Sequence, residues 1–417
     1  MKPEKNNSFC SYPFAELTLK SFDAMGKVSG ITPCCMMHDQ AKSEDSPPHT
    51  SKSRLDLYAE NYTPEELFNS PRMDQLRKNM LSNVRDSACR VCWDQEDAGM
   101  SSHRLYTKEL TDDEINNPKL QVIDVTHSNI CNLRCRMCHV GTSHSLVIDL
   151  EYFKKSDTDR LKLESATGDR WDVEYKLRDA TSTTQWDWLE KNTDKITTFK
   201  ASGGEPFYDK RILKLLEIYV NTDNAKNTEL SFHTNVTMID DYIIDLLKKF
   251  KTNNHVFSID GYGPAYDYIR YPAKFDDVAK IIDKYLSSVE STIVHIACVV
   301  SSLNLLSMDK YIEWVDSMPP RAILNVADVR SYDRGTNISR LPVYILEVAL
   351  DRIEKTTFGD SRDHKGRDNL IQLIKNAIKN NKEDKTKMLN EIVPFDNARS
   401  QSFKDFLDPL LVEWLTS

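Results

Sequence analysis

The sequence predicts an α/β protein built on a parallel sheet, and two patterns support this prediction. Strand-like runs recur from residue 120 onward, and helical patterns separate most of them. The six runs are LQVIDVTHS, ITTFKAS, ELSFHTN, HVFSID, TIVHIACVVS and AILNVADV. Because strands that alternate with helices pair in parallel through right-handed crossovers, these six form either an open sheet or a partial barrel.

The sequence also predicts an insertion within the sheet domain and a further domain on each side of it. Residues 141–195 are long, polar and contain tryptophan, and we interpret them as a mostly helical insertion after the first strand. We predict an N-terminal domain over 1–118, the sheet domain over 119–340 and a helical C-terminal extension over 341–417.

Composition sets the broad class. A chain of 417 residues, 40% hydrophobic and 29% charged, is typical of a globular protein of two or three domains. The net charge of -9 argues against a surface that coats nucleic acid, although it does not exclude a local basic cleft. No apolar run approaches the roughly 18 residues that cross a bilayer, and the N-terminus has no apolar signal region. We therefore expect a cytoplasmic protein with reduced thiols and no membrane partner.

The nine cysteines form two groups and one outlier. In a reducing compartment they indicate metal binding or catalysis rather than disulfides. One group lies before residue 100, and the other lies in CNLRCRMCHV. Cys298 stands apart, and we expect it to face the helices as a buried, inert thiol.

The stretch CNLRCRMCHV carries Cys131, Cys135 and Cys138 on a loop that leaves a strand. Zinc usually takes four ligands, and His139 is an awkward fourth because it directly follows Cys138. A cubane iron–sulfur cluster held by three thiolates leaves one iron open to a substrate or cofactor. The odd number of cysteines therefore favours a cluster.

A second motif, KASGGEPFYD, places Gly203 and Gly204 at the end of the second strand. Glycine is scarce in this chain, with 12 of 417 residues, so a pair here indicates close approach of a ligand to the backbone. Ligands of parallel sheets bind at the carboxyl ends of strands, and both motifs follow such ends. We expect the two motifs to lie at the same end of the sheet.

The motif CxxxCxxC followed by GGEP resembles the radical S-adenosylmethionine (SAM) superfamily over about residues 120–330. The resemblance implies a partial (β/α)6 TIM-like barrel and a [4Fe–4S] cluster whose ligands are Cys131, Cys135 and Cys138. In that family SAM chelates the fourth iron. The reduced cluster splits SAM to methionine and a 5′-deoxyadenosyl radical, which takes a hydrogen atom from the substrate.

The resemblance also implies further site residues. Met137 would contact adenine, and Gly203, Gly204 and Glu205 would bind the methionine amino group. Near the strand ends, the residues that would line the cofactor and substrate pocket are Asn235, Ser258, Asp260 and Ser301. The family often has glycine where Val236 stands. By itself, Glu205 can also cap a helix.

The first group of cysteines predicts a second site. FCSYPFAELTLKSFDAMGKVSGITPCC is typical of a β-hairpin that ends in thiols, and ACRVCW adds a CxxC. A hairpin thiol with a distant CxxC often builds a four-thiolate site. With its helix, this hairpin resembles the twitch domain, a short relative of the SPASM domain, placed N-terminally. The predicted ligands are Cys10, Cys34, Cys89 and Cys92, with Cys35 as the alternative to Cys34.

We predict that this second site holds an auxiliary Fe–S cluster, most simply [4Fe–4S], that transfers electrons; a structural zinc is the alternative. The whole chain is then a radical SAM enzyme that acts on a peptide, a protein or a small molecule, with a flavodoxin or ferredoxin as electron donor. The alternatives are a nucleotide- or nucleic-acid-modifying enzyme and a non-catalytic metal-binding scaffold. The segment YGPAYDYIRYPAKFDD, which contains Arg270, either forms a substrate wall or packs a helix start.

Overall fold

The structure, a computed structural model, describes residues 1–4, 7–19, 31–34, 61–97, 99, 101–175, 181–328, 334–356 and 365–417. The strands are β1 Glu16–Leu19, β2 Ile31–Thr32, β3 Val122–Thr126, β4 Thr198–Ser202, β5 Glu229–Thr234, β6 Thr252–Ser258, β7 Thr292–Val300 and β8 Ala322–Asp328. The helices are α1 Tyr12–Ala15, α2 Pro64–Phe68, α3 Pro71–Leu81, α4 Arg90–Asp97, α5 Asp112–Asn116, α6 Val147–Phe153, α7 Asp157–Thr167, α8 Thr183–Lys191, α9 Lys210–Asn221, α10 Asp241–Leu247, α11 Pro264–Ile269, α12 Phe275–Ser288, α13 Met308–Asp316, α14 Val343–Glu354, α15 Lys365–Lys379, α16 Lys385–Arg399 and α17 Pro409–Thr416.

The chain divides into two compact units. The first consists of Met1–Ser128, Arg178–Phe232 and Lys249–Lys251. The second consists of Asn129–Leu177, His233–Lys248 and Thr252–Ser417. None of the helices in the described ranges has the length and apolar character needed to cross a membrane.

In the first unit, β1 pairs antiparallel with β2 and parallel with β3. Parallel pairing continues from β3 to β4 and from β4 to β5, with Val122 opposite Thr198 and Thr198 opposite Glu229. The predicted N-terminal hairpin is therefore present as β1 and β2, although its turn lies outside the described residues. The pairing of β1 with β3 adds the N-terminal segment to the sheet, which the sequence did not predict.

In the second unit, β6, β7 and β8 are parallel, with Asn253 opposite Thr292 and Val294 opposite Ala322. All six predicted strands are thus present, and seven described strands have a parallel neighbour. These pairings confirm the predicted α/β class with a parallel sheet. Closure of the strands into a partial TIM-like barrel remains a prediction.

Alternating burial explains why β7 forms a strand. Its buried side chains include Val294, Ile296 and Val300, and the residues between them are more exposed. Cys298 belongs to the buried set, and its Sγ lies 3.8 Å from Sδ of Met308 at the start of α13. The prediction that Cys298 is buried against the helices is therefore confirmed.

Each unit has its own aromatic core. In the first unit, Phe199 on β4 is fully buried and packs edge-on against Phe232 of β5. In the second unit, Phe153, Trp171 and Phe395 meet edge to face, with ring centroids 5.3 to 5.6 Å apart. This second cluster joins α6 to α16, so the C-terminal segment packs on the region that follows the cysteine loop.

A buried histidine makes the stability of the second unit depend on pH. His255 on β6 has no solvent exposure. Burial, with a smaller contribution from the charge of His233, lowers the pKa of His255 to about 3. The unfolded chain therefore binds a proton near pH 6.5 that the folded chain does not bind until about pH 3.

We predict that His255 causes a loss of about 1.4 kcal/mol in the free energy of unfolding between pH 7.5 and pH 5.5, because only the unfolded state is protonated there. Replacing it in His255→Asn removes this dependence, which urea titrations at the two pH values measure. As a control, the exposed His233→Asn removes only the smaller cause and keeps most of the dependence. Equal pH dependence in wild type and His255→Asn contradicts the prediction.

Candidate functional site

The loop after residue 128 brings the three predicted cluster ligands together in the second unit. Cys131 and Cys135 are buried, and Cys138 is partly exposed. Cys131 and Cys135 pack with Leu133, and both Cys138 and Met137 lie against this group. Met137 therefore lies beside the predicted cluster ligands.

A short backbone ladder holds this loop. Arg134 N–H donates to Tyr271 O at 2.7 Å, and Arg136 N–H donates to Ile269 O at 2.9 Å. These two bonds flank Cys135 on one strand of the ladder and Arg270 on the other. Arg270 therefore lies opposite the central cysteine.

Arg270 is a functional candidate that sequence reasoning had placed only in a tyrosine-rich segment. Its Nε donates to Asp260 Oδ2 at 2.6 Å, and Asp260 Oδ1 accepts from Val299 N–H at 2.7 Å. Burial alone would lower the pKa of Arg270, but Asp260 and the Cys135 thiol raise it well above its usual value. A fixed cation thus lies beside the predicted cluster ligands.

The pKa values of Cys135 and Cys138 depend on each other and on the charge of Arg270. The hydrogen bond to Cys138, followed by burial, raises the pKa of Cys135 well above its usual value. The same bond lowers the pKa of Cys138 to about 7, and the positive charge of Arg270 acts in the same direction against burial. Thiolate is the form that binds metal, so this arrangement suits metal binding.

Two of the tyrosines around Arg270 are structural. Tyr266 and Tyr268 have no exposed surface. Tyr266 packs edge-on against Phe275 at the start of α12, with centroids 5.8 Å apart. Tyr266 therefore packs a helix start, and Tyr268 packs against Phe406. Neither of these buried side chains forms an exposed substrate wall.

Asn235 contacts the first cysteine. Its Nδ2 lies 3.8 Å from Cys131 Sγ and donates to Asn132 Oδ1 at 2.9 Å. The next residue, Val236, is fully buried and has φ = 71°. A β-branched residue is strained in this left-handed region, which explains why glycine suits this position.

The remaining predicted residues of this unit lie at strand ends with different surroundings. Ser258 ends β6 and is partly exposed. Both carboxylate oxygens of Asp260 are engaged, as described above. Ser301 forms a turn after β7, in which its N–H donates to Asn304 Oδ1 at 2.8 Å and its Oγ accepts from Leu303 N–H. The structure therefore ties Asp260 to Arg270, whereas the bonds given for Ser301 stay within its own turn.

In the first unit, the GGEP loop follows β4 and lies against the end of β3. Gly203 has φ = 128°, and a Cβ there would lie 2.6 Å from Ser128 O. Gly204 N–H donates to the same carbonyl at 2.8 Å. Glu205 is fully buried, and its Oε1 accepts from Phe207 N–H at 3.2 Å, which caps the short turn that follows. Only glycine fits at Gly203.

A buried histidine–aspartate pair supports this loop, and sequence reasoning missed it. His127 Nδ1 lies 2.9 Å from Asp209 Oδ2, and neither residue is exposed. Burial would raise the pKa of Asp209, but hydrogen bonds from His127 and Arg211 lower it. The Nε2 of His127 lies 3.4 Å from where a Cβ of Gly203 would be. The only sequence signal was a histidine directly after a strand.

The four predicted auxiliary ligands also converge in the first unit. Cys10, Cys34, Cys89 and Cys92 line one cavity, which Tyr12, His103 and Arg104 complete. Burial, followed by the neighbouring Cys34, raises the pKa of Cys10 and of Cys89. Cys35 lies outside the described residues. Thiols held neutral by burial and mutual repulsion ionise when a metal binds, so this set fits a metal centre.

No group of three or more His, Cys, Asp or Glu side chains in the described part of the chain is arranged to hold a metal ion. The cavity wall is firmly built, since Arg104 Nη2 donates to the buried Glu96 at 2.5 Å and Tyr12 Oη lies 2.7 Å from His103 Nε2.

Residues 125–315 match the family described as the Radical SAM superfamily. The chain therefore carries a Radical SAM superfamily domain. The matched range, a little under half of the chain, contains the cysteine loop, the GGEP loop and Arg270. A Radical SAM domain implies a [4Fe–4S] cluster and SAM. The three thiols of the cysteine loop fit the cluster, and the two glycines of the GGEP loop fit SAM.

Other comparisons add no closer relationship. No curated protein matches the chain. SuiB from Streptococcus suis, solved with its precursor peptide SuiA, is 13% identical with a TM-score of 0.36, covering 64% of this chain and 58% of that chain. The structure of anSMEcpe with AdoMet and the Cp18Cys peptide is 17% identical with a TM-score of 0.33, covering 56% and 59%. Coproporphyrinogen III oxidase (HemN) from Escherichia coli, titled a Radical SAM enzyme, is 12% identical with a TM-score of 0.33, covering 62% and 54%.

The chain thus spans less than two thirds of the length of these solved structures. Identities and TM-scores this low leave the function to be argued from the chain's own residues.

We predict that Gly203→Ala weakens SAM binding by at least about tenfold, because the added Cβ collides with Ser128 O at a backbone angle that alanine rarely adopts. Calorimetric titration with SAM measures the effect. Gly168→Ala is the matched control, since Gly168 also has a positive φ but has no atom within 4 Å of its Cβ position. It costs about 1 kcal/mol of stability and keeps SAM affinity. Equal SAM affinity in both variants contradicts the prediction.

We also predict that Arg270→Gln makes the midpoint potential of the SAM-binding cluster more negative, by on the order of 50–100 mV, because the lost cation stabilises the reduced cluster. A redox titration followed by electron paramagnetic resonance (EPR) measures the shift. Lys274→Gln removes an exposed charge from the same segment and serves as the control. An unchanged potential in Arg270→Gln shows that this arginine does not act on the cluster.

Proposed function

We propose that the protein is a radical SAM enzyme with an auxiliary iron–sulfur cluster in its N-terminal part. The observation that carries this proposal is the presence of two separate thiol sets, one of three cysteines on a loop and one of four around a cavity. Three thiolates leave one iron of a [4Fe–4S] cluster open to SAM, whereas four thiolates leave none. The two sets therefore suit different tasks.

In this proposal a reduced [4Fe–4S] cluster in the first thiol set would supply the electron that cleaves SAM, and the radical so formed would remove a hydrogen atom from the substrate. Cys131, Cys135 and Cys138 hold the cluster, and the loop with Gly203, Gly204 and Glu205 binds the methionine part of SAM. Arg270 keeps a positive charge beside the thiolates. Met137, packed on the cysteines, offers an apolar surface to adenine.

Cys10, Cys34, Cys89 and Cys92 would hold the auxiliary cluster, which would supply electron transfer to or from the substrate or the first cluster. The proposed domains are 1–118 for this site, 119–340 for a partial (β/α)6 barrel and 341–417 for the extension. The proposed electron donor is a flavodoxin or ferredoxin, in a cytoplasmic, reducing setting where free thiols persist.

We propose a peptide or protein as the substrate class, followed by a small molecule. The net charge of -9 supports placing both ahead of nucleic acid, because an acidic protein repels a phosphate backbone. Asn235, Ser258, Asp260 and Ser301 are the proposed residues of the cofactor and substrate pocket.

We predict that protein reconstituted anaerobically with iron and sulfide holds about eight iron atoms, as two four-iron clusters require. With dithionite and SAM it forms 5′-deoxyadenosine. Replacing Cys131, Cys135 and Cys138 with alanine abolishes this product and removes about four irons. Replacing Cys89 and Cys92 also removes about four irons but spares SAM cleavage, because that cluster has no open iron. Iron analysis and chromatography measure both quantities.

The control is Cys298→Ala, which removes a buried thiol that belongs to neither set. It is expected to keep both iron and product. Protein that carries both clusters yet forms no 5′-deoxyadenosine argues against an enzyme and favours a metal-binding scaffold. Colourless protein with zinc in the N-terminal site overturns the auxiliary cluster.

A further inference from the structure

Both arginines of CNLRCRMC form ion pairs, and the side chain of Arg136 is almost fully buried. Arg136 pairs with an acid on α16, and Arg134 shares an acid with an arginine of α16. We propose that α16, in the predicted C-terminal extension, is part of the cluster-binding site, because it holds the backbone between the cysteines in place. This inference rests on the proposed function, since it assumes that the loop binds a cluster.

Arg136 is the main link. Its side chain is almost fully buried, and its guanidinium donates in three directions: Nε to Tyr268 O at 2.9 Å, Nη1 to Ile392 O at 3.1 Å and Nη2 to Asp396 Oδ1 at 2.5 Å. The ring centroid of Tyr268 lies 3.5 Å from the guanidinium carbon. Nη2 of Arg136 also donates to Gln401 Oε1 at 3.2 Å. Two of these four acceptors belong to α16, so the position of this helix restrains the side chain of Arg136.

Asp396 is itself held by other donors. Its Oδ1 accepts from Tyr268 Oη at 2.7 Å, and its Oδ2 accepts from Phe403 N–H at 2.8 Å. The carboxylate therefore has a single orientation in which it meets Arg136. An arginine fork opposite a fixed carboxylate gives directional as well as electrostatic restraint.

A second link runs through Glu391 on α16. Glu391 Oε1 accepts from Arg334 at 2.9 Å, and its Oε2 accepts from Thr336 N–H at 2.9 Å. From there, Arg334 reaches the carbonyl oxygens of Arg136 and Met137, each at 3.4 Å. This contact acts directly on the backbone between Cys135 and Cys138.

A third link joins α16 to the start of the loop. Arg399 at the end of α16 pairs with Asp149 at 2.8 Å, and neither side chain is exposed. Asp149 Oδ1 also accepts from Arg134 Nη1 at 3.1 Å. The two arginines on either side of Cys135 are thus both tied, directly or through Asp149, to the same helix.

Stability alone does not account for this arrangement. A buried ion pair returns about as much free energy as its desolvation costs, and apolar side chains of similar volume often serve folding as well or better. Ion pairs do fix geometry, and a metal site needs its ligands held within about 0.5 Å. Because three pairs converge on one short loop, we assign Arg134, Arg136 and Arg334 as positioning residues for the cluster, with α16 as their support.

The test compares Asp396→Asn with Asp408→Asn in the full chain. Asp408 also pairs with an arginine, Arg352 at 2.8 Å, and lies in the same C-terminal segment, but none of its hydrogen bonds reaches the cysteine loop. The reduced, reconstituted proteins are examined by EPR with and without SAM. The signal that changes with SAM reports the first cluster alone, because four thiolates leave no open iron on the other.

We expect Asp396→Asn to shift the SAM-responsive signal and to shorten the half-life of that cluster against an iron chelator by about tenfold, the ratio that the loss of one charged hydrogen bond implies. Asp408→Asn is expected to match wild type in both measurements. Glu391→Gln breaks the second link and provides an independent variant if Asp396→Asn does not fold. Thermal unfolding of each variant identifies cluster loss that merely follows global unfolding.

The outcomes separate the two proposals. Wild-type protein without a SAM-responsive signal overturns the proposed function itself. A wild-type signal that neither Asp396→Asn nor Glu391→Gln changes, in position or in lifetime, relative to Asp408→Asn overturns the role of α16 and leaves the proposed function intact.

Discussion

The position of Cys135 depends on two backbone hydrogen bonds, from Arg134 N–H to Tyr271 O and from Arg136 N–H to Ile269 O. A loop of this kind has few hydrogen bonds of its own, so a partner segment has to supply them. The same two bonds place Arg270 opposite Cys135. Its bond to Asp260, and that of Asp260 to Val299 N–H, then connect the thiols to the ends of β6 and β7. This ladder therefore sets Cys135 beside Arg270 in the second unit.

The arginines around the cysteine loop have two different roles. Arg136, Arg334 and Arg399 are each matched by a buried acid and act on geometry. Arg270 differs because the pKa of Cys138 responds to it, so its charge reaches the thiols themselves. In a buried site such a charge is weakly screened and influences redox properties strongly. Supporting and tuning residues can therefore be separated by substitution.

Different elements of the fold carry the N-terminal set of thiols. Cys10 precedes α1 and β1, and β1 pairs with β3 rather than with β2 alone. Cys10 lines one cavity with Cys34, Cys89 and Cys92. Burial and repulsion keep Cys10 and Cys89 protonated, and ligation of a metal relieves both effects.

The sequence by itself determined the strands and helices, the two groups of cysteines and the glycine pair, because hydrophobic period, cysteine spacing and glycine placement are local properties of the chain. It left several matters undecided: whether Glu205 caps a turn, which residue faces Cys135, and why glycine suits the position of Val236. It also missed His127 with Asp209, and the reason for Arg134 and Arg136. Only the tertiary structure decided these, because each depends on partners far away in the chain: Arg136 meets Asp396, and His127 meets Asp209. Contacts between residues so far apart produce no periodic pattern in the sequence, so only the folded structure reveals them.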